Sequence, residues 1–125
     1  MNLVLDAGAL VALERNERPM WRRLWEARQR GDGLATHGGI VGQVWRGGQR
    51  PSRLAALLLT LEVHPLDATL GRSAGELLRA TGLADVIDAA LVALCADGDW
   101  IVTSDADDLA PLVRAAGRDI VLVRP

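Results

Sequence analysis

An α/β fold built on a central parallel sheet is the class this sequence predicts, and three observations predict it. Short apolar runs alternate with helix-length amphipathic segments along the chain, the pattern of repeated strand–helix–strand units. Half of the 125 residues are apolar (50%) and 24% are charged, enough for residues 1–125 to form one domain around its own core. Aspartates recur directly after the apolar runs, at the positions where helices start.

Residues 3–5 read as the first strand, and Asp6 stands as the N-cap of a helix carrying Ala9, Leu10, Val11, Ala12 and Leu13. Pro19 suits the first turn of a second helix, in which Met20, Trp21, Leu24, Trp25 and Ala27 recur at helical spacing until Gly31. Residues 33–36 form a short strand. Ile40, Val41, Val44 and Trp45 then line one face of a third helix that ends at Gly47 and Gly48, and Pro51 opens a fourth. A strand at residues 62–64 leads to a helix capped by Asp67 that runs to about Thr81, where Gly82 breaks it. Asp85 caps the most apolar helix, through Ala96. The turn Asp97-Gly98-Asp99 feeds a strand at residues 100–103, Asp105 starts the last helix, and residues 120–123 form a final strand. The expected architecture is about five strands with six or seven helices on both faces of the sheet.

Composition excludes several classes of chemistry. All fourteen basic residues are arginine, against sixteen acidic ones, for a net charge of −2. Without lysine there is no Schiff-base enzyme, no P-loop NTPase and no protein kinase. The balanced charge argues against a protein that coats nucleic acid, so any nucleic-acid site is local. Cys95 is the single cysteine, sits in an apolar run and reads as a small buried hydrophobe in a cytoplasmic protein. No apolar run is long enough to cross a bilayer as a helix, so no membrane is expected. His37 and His64 are not at ligand spacing and read as structural, which makes zinc a poor fit.

The carboxylates carry the chemistry. Asp6 follows the first strand and Asp105 the strand at residues 100–103, so a parallel sheet brings both to its carboxyl edge, where open α/β sheets bind ligands. Asp85 and Asp88 start the helix before that second strand, and Asp107 and Asp108 follow Asp105 by one turn. Singly, each is a helix cap, since Asp85-x-x-Asp88 and Asp105-x-x-Asp108 have the spacing of an N-cap and its third helical residue. Gathered on one rim they repel one another unless a cation lies between them, and a hard divalent ion, Mg²⁺ or Mn²⁺, suits carboxylate oxygen.

Four blocks in order carry a family resemblance: Leu5-Asp6-Ala7-Gly8-Ala9-Leu10, Gln43-Val44-Trp45-Arg46-Gly47-Gly48, Asp88-Ala89-Ala90, and Thr103-Ser104-Asp105-Ala106-Asp107-Asp108-Leu109. Together they resemble the PIN-domain nucleases, specifically the VapC-type toxins, over nearly the whole chain. The resemblance implies a PIN-like fold and a metal-dependent endoribonuclease toxin of a toxin–antitoxin pair. It also implies inhibition by a small antitoxin, assembly as a homodimer, and RNA as substrate. Carried over residue by residue, Asp6, Asp88 and Asp105 match the metal-binding acids, Asp108 is a further acid, and Thr103 and Ser104 hold a metal-bound water or a phosphate. Where the family carries glutamate this chain has Gln43, which keeps the shape and a carbonyl oxygen but loses a charge and any role as a base. Activity weakened or abolished by Gln43 is therefore expected, and the alternative is a catalytically silent PIN-like module that binds RNA or a partner. Arg46, less than one turn beyond Gln43, is a candidate contact for RNA phosphate or antitoxin. The arginines around the second helix (Arg15, Arg18, Arg22, Arg23, Arg28 and Arg30) read as a solvated face, and Trp21 and Trp25 as core or partner interface. An aspartyl-phosphate enzyme is excluded, because Gly8 stands where such phosphatases carry a second aspartate and the chain has no lysine.

Overall fold

In a computed structural model, which describes residues 1–47 and 53–125, each apolar run becomes a strand of one sheet. The strands are β1 (Asn2–Leu5), β2 (Gly33–His37), β3 (Glu62–His64), β4 (Trp100–Val102) and β5 (Val121–Val123). They pair in the order β3-β2-β1-β4-β5, and every neighbouring pair is parallel. Side chains alternate between the two faces of a strand, yet Leu3, Val4 and Leu5 of β1 are all 0% exposed, so both faces of the sheet are covered.

The covering helices are α1 (Ala7–Glu14), α2 (Arg18–Arg30), α3 (Gly38–Val44), α4 (Arg53–Leu58), α5 (Ala68–Thr81), α6 (Val86–Ala93) and α7 (Ala106–Ala116). α1 packs with α2, α3 and α4, while α5, α6 and α7 pack together as a second group. Leu10, Leu13, Met20, Leu24, Ile40, Leu91, Leu109 and Leu112 fill the space between these helices and the sheet. The expected α/β architecture, a central parallel sheet of five strands with helices on both faces, is the observed one, and no helix among the described residues is long and apolar enough to cross a membrane.

Several boundaries differ from the sequence expectation, each for a local reason. α3 ends at Val44 because Trp45 turns extended (ψ 129°), so Trp45 is 44% exposed instead of completing an apolar face. The expected helix end at Gly48 and helix start at Pro51 lie outside the described residues. The first residues of α4 are held from α1, where the Glu14 carboxylate accepts the Leu54 N–H and the Glu14 carbonyl accepts from Arg53. α6 stops at Ala93, before Ala96. Arg118 takes the Ala93 and Cys95 carbonyls at 2.9 and 2.7 Å, and the buried Asp99 carboxylate takes the Ala96 N–H at 2.8 Å. These partners satisfy the freed helix-end groups without a further turn. Cys95 is buried as expected, and burial pushes its thiol up to about 12.

Candidate metal centre at the sheet edge

The order of the strands decides where a site can form. The chain builds outward from β1 through β2 to β3, then returns to the other side of β1 to lay down β4 and β5. Connections therefore diverge at the carboxyl ends of β1 and β4, the switch point at which open α/β sheets bind ligands. Asp6 leaves β1 at that point, its N–H donating to the Val102 carbonyl at 3.1 Å. Its carboxylate accepts the Ala9 N–H at 2.9 Å and so caps α1, as expected.

Thr103 leaves β4 beside it and is fully buried. Its hydroxyl hydrogen-bonds the Asp6 carboxylate and accepts the Asp105 N–H at 2.9 Å, so one side chain ties the two acid-bearing strand ends together. Thr103 is thereby committed to positioning Asp6 and Asp105, whereas the neighbouring Ser104 is exposed and lines the open cleft. The approach is close: a Cβ at Gly8 would lie 2.2 Å from Ser104 Oγ and 3.3 Å from Asp6 Oδ1. Only glycine at the first turn of α1 leaves room for that loop.

The other acids arrive on helix starts. Asp85 caps α6, accepting the Ile87 and Asp88 N–H groups at 2.9 and 3.1 Å, which leaves Asp88 half-buried in the first turn and facing the sheet edge. Asp105 differs from the expected helix cap. It occupies the N-cap position of α7 but its side chain makes no capping bond, so its carboxylate is exposed and uncommitted. Asp108 and Asp107 are exposed in the first turn of α7.

Electrostatics show that these acids converge. Burial and then the charges of Asp85, Asp108, Asp6 and Asp105 push the Asp88 carboxyl up to about 6. Burial is also the main cause that raises Asp6, with Asp105 adding repulsion against the lowering effect of Thr103. Among the described residues no ion pair relieves this repulsion, because the two ion pairs found there, Arg30–Asp32 and His64–Glu62, lie on other elements. An all-oxygen donor set with uncompensated charge fits a hard divalent cation in its chemistry. Among the described residues no group of three or more His, Cys, Asp or Glu side chains is arranged to hold a metal ion.

Two clefts flank the acids and share Asp107 and Asp108. One, of about 270 Å³, has Leu83, Pro111 and Leu112 beside Asp85 and Asp88, and the other, of about 280 Å³, is lined by Thr103, Ser104, Asp105 and Arg124. A roomier cleft of about 390 Å³ lies among Arg18, Arg22, Arg23 and Glu26 on α2, away from the gathered aspartates.

No family model and no curated protein matches the chain. Among solved structures, a chain of VapBC2 from Rickettsia felis, crystallised bound to a DNA fragment from their promoter, aligns over 98% of both chains. Its TM-score is 0.70 at 17% sequence identity. The two chains share a fold.

The remaining candidates lie on or just beyond the two ends of α3. Gln43 is exposed near the end of α3 and makes no side-chain hydrogen bond among the described residues. Arg46 folds back on its own helix, donating to the Gly42 and Trp45 carbonyls at 3.3 and 2.8 Å. His37 is structural, as expected, but in an informative way. Its buried ring accepts the Gly39 N–H at 3.0 Å as the cap of α3 and reaches the Ile87 carbonyl at 2.9 Å, joining α3 to the turn of α6 that carries Asp88. Since Nδ1 accepts from Gly39, Nε2 carries the proton toward Ile87. Arg124 also lines the cleft, and its one signal in the sequence is its place directly after the last strand, on the same sheet edge as Asp6.

Proposed function

We propose that the chain is a VapC-like PIN-domain endoribonuclease, the toxin of a toxin–antitoxin pair, acting with Mg²⁺ or Mn²⁺ at Asp6, Asp88 and Asp105. The observation that carries the reading is the half-buried Asp88 at the switch point of the sheet, its carboxyl raised first by burial and then by four neighbouring carboxylates. A divalent ion bound there supplies activation of a water for attack on phosphate and neutralisation of the charge that develops in the transition state. The chain's own residues prepare the site. Asp6 is fixed by the Ala9 N–H and the Thr103 hydroxyl, Asp105 is left free of a capping role, and Asp108 adds a further acid on α7. Ser104 is exposed in the cleft, where its hydroxyl can hold a phosphate oxygen.

The antitoxin and homodimer parts of the reading rest on the family resemblance and on the structural neighbour's belonging to a VapBC2 complex. Apolar side chains left in water support a protein partner: Trp25 is 62% and Leu59 89% exposed. Gln43 supports a second reading, a silent PIN-like module that binds RNA or a partner, because the site then has one charge and one base fewer.

The test is cleavage of single-stranded RNA by the purified chain and its Gln43→Glu and Asp6→Asn variants with Mn²⁺ and with EDTA. The nuclease reading expects Mn²⁺-dependent cleavage that Gln43→Glu raises about tenfold or more and Asp6→Asn abolishes. Cleavage by none of the three in Mn²⁺ would overturn it in favour of the silent module.

A further inference from the structure

Every carboxylate at the sheet edge repels the phosphates of an RNA strand, so a nuclease of this kind needs a cation beyond the metal to seat its substrate. The described residues place one there. Arg124 follows β5 directly and lines the cleft that Ser104 and Asp105 also line. It is exposed, and although Asp105, Asp107 and Asp108 line the same cleft, it makes no ion pair or side-chain hydrogen bond among the described residues. The other arginine expected near the site, Arg46, has spent donors on the carbonyls that end α3. Arg118 is likewise occupied by the carbonyls that end α6. Arg124 thus combines three properties: its place in the acid-lined cleft, its free guanidinium, and its position on the β5 side, across β4 and β1 from α3 and Gln43.

We propose that Arg124 is a substrate-positioning residue that takes a backbone phosphate of the RNA strand on the β5 side of the acids. The proposal rests on the nuclease reading above and deepens it. A planar guanidinium offers paired N–H donors that match two phosphate oxygens, and it keeps its charge at any working pH. One phosphate held at Arg124 and its neighbour at the acids commit the strand to cross the sheet edge from β5 toward β1. Ser104 lines the same cleft as Arg124 and Asp105.

The experiment is equilibrium binding of a fluorescein-labelled single-stranded RNA of ten nucleotides by anisotropy. It uses Ca²⁺ in place of Mn²⁺ across a series of salt concentrations, with a gel run to confirm that the RNA stays intact. The proteins are the unaltered chain, Arg124→Ala, Arg124→Lys and Arg114→Ala, the last removing the same charge from the last turn of α7. Expected are a loss of about fivefold or more in affinity for Arg124→Ala, partial recovery in Arg124→Lys, and no change for Arg114→Ala. The slope of log K against log salt should fall by about 0.7 in Arg124→Ala, the loss of one phosphate contact to a single strand. Unaltered thermal unfolding of all three variants is expected, since both side chains are exposed. Equal affinity and slope in Arg124→Ala and the unaltered chain would overturn the proposal and leave the nuclease reading standing on its cleavage test. Absence of RNA binding by the unaltered chain would overturn it as well. An equal loss in Arg114→Ala would replace it with diffuse attraction to any positive charge.

Discussion

At the scale of single residues, the site is a set of carboxylates held closer than their charges favour. The Asp88 carboxyl stands at about 6 in the folded protein against 3.8 for an ordinary aspartate. The folded state therefore holds that proton more tightly than the unfolded one, and stability contributed at low pH is lost as pH rises through this window. In EDTA, Asp88→Asn is expected to stabilise the protein at pH 7 by about 1 kcal/mol. The full shift implies more, but the half-buried side chain still meets water and its charge also favours the start of α6. At pH 4 the difference should nearly vanish. Denaturant titrations of both proteins at the two pH values check this, and a destabilised Asp88→Asn at pH 7 would show that the repulsion is already relieved. Thr103 gives the opposite lesson, because its buried hydroxyl lowers the Asp6 carboxyl and holds the Asp105 N–H at once. Nothing in the sequence distinguishes that role from direct contact with substrate, since burial is a property of the packed chain.

At the scale of elements, the site depends on how closely α1 meets the loop that follows β4. A methyl group at Gly8 would press on both Oγ and Cβ of Ser104. Gly8→Ala is expected to cost about 1 to 3 kcal/mol and to weaken Mn²⁺ binding. Gly8→Ala combined with Ser104→Gly should recover most of both, as calorimetry and chemical unfolding would read. Full additivity of the two changes would place the damage elsewhere. α3 and α6 are joined similarly through His37, where a Cβ at Gly39 would meet Ile87 Cδ1 at 2.5 Å and His37 Cε1 at 2.8 Å. Burial holds the His37 ring neutral, so its contribution to stability is present above the usual histidine pKa and is lost on acidification. A structural part for His37 is legible in the sequence but this joint is not, because the partner, the Ile87 carbonyl, is fifty residues away.

For the whole molecule, the decisive feature is the return of the chain across β1 after β3. That step brings Asp6 and Asp105 to adjacent strand ends and lets α6 set Asp88 against them. If these acids hold an ion, folding and metal binding are linked. Mn²⁺ at a hundredfold excess over its Kd is expected to stabilise the protein by about 2.7 kcal/mol, a rise of several degrees in Tm. The gain should be smaller at pH 5 than at pH 7, because protons compete for the carboxylates, and Asp6→Asn should remove it. Scanning calorimetry with and without Mn²⁺ reads this directly, and an unmoved Tm in saturating Mn²⁺ would count against a metal centre.

The sequence by itself determined the element order, because the spacing of apolar residues and the placement of Asp6, Asp67, Asp85 and the αL glycines 31 and 82 are local signals. It also located the acids at strand ends and helix starts, and Gln43 beside Val44 and Trp45. Tertiary structure decided which of those aspartates are spent on caps and which are free, as the contrast between Asp85 and Asp105 shows. It decided too that Arg46 and Arg118 close helix ends while Arg124, in the cleft, has no partner among the described residues. Periodicity reports how one segment divides between core and water. Whether a charged side chain finds a partner depends on groups brought to it from distant parts of the chain, and only the folded sheet sets those distances.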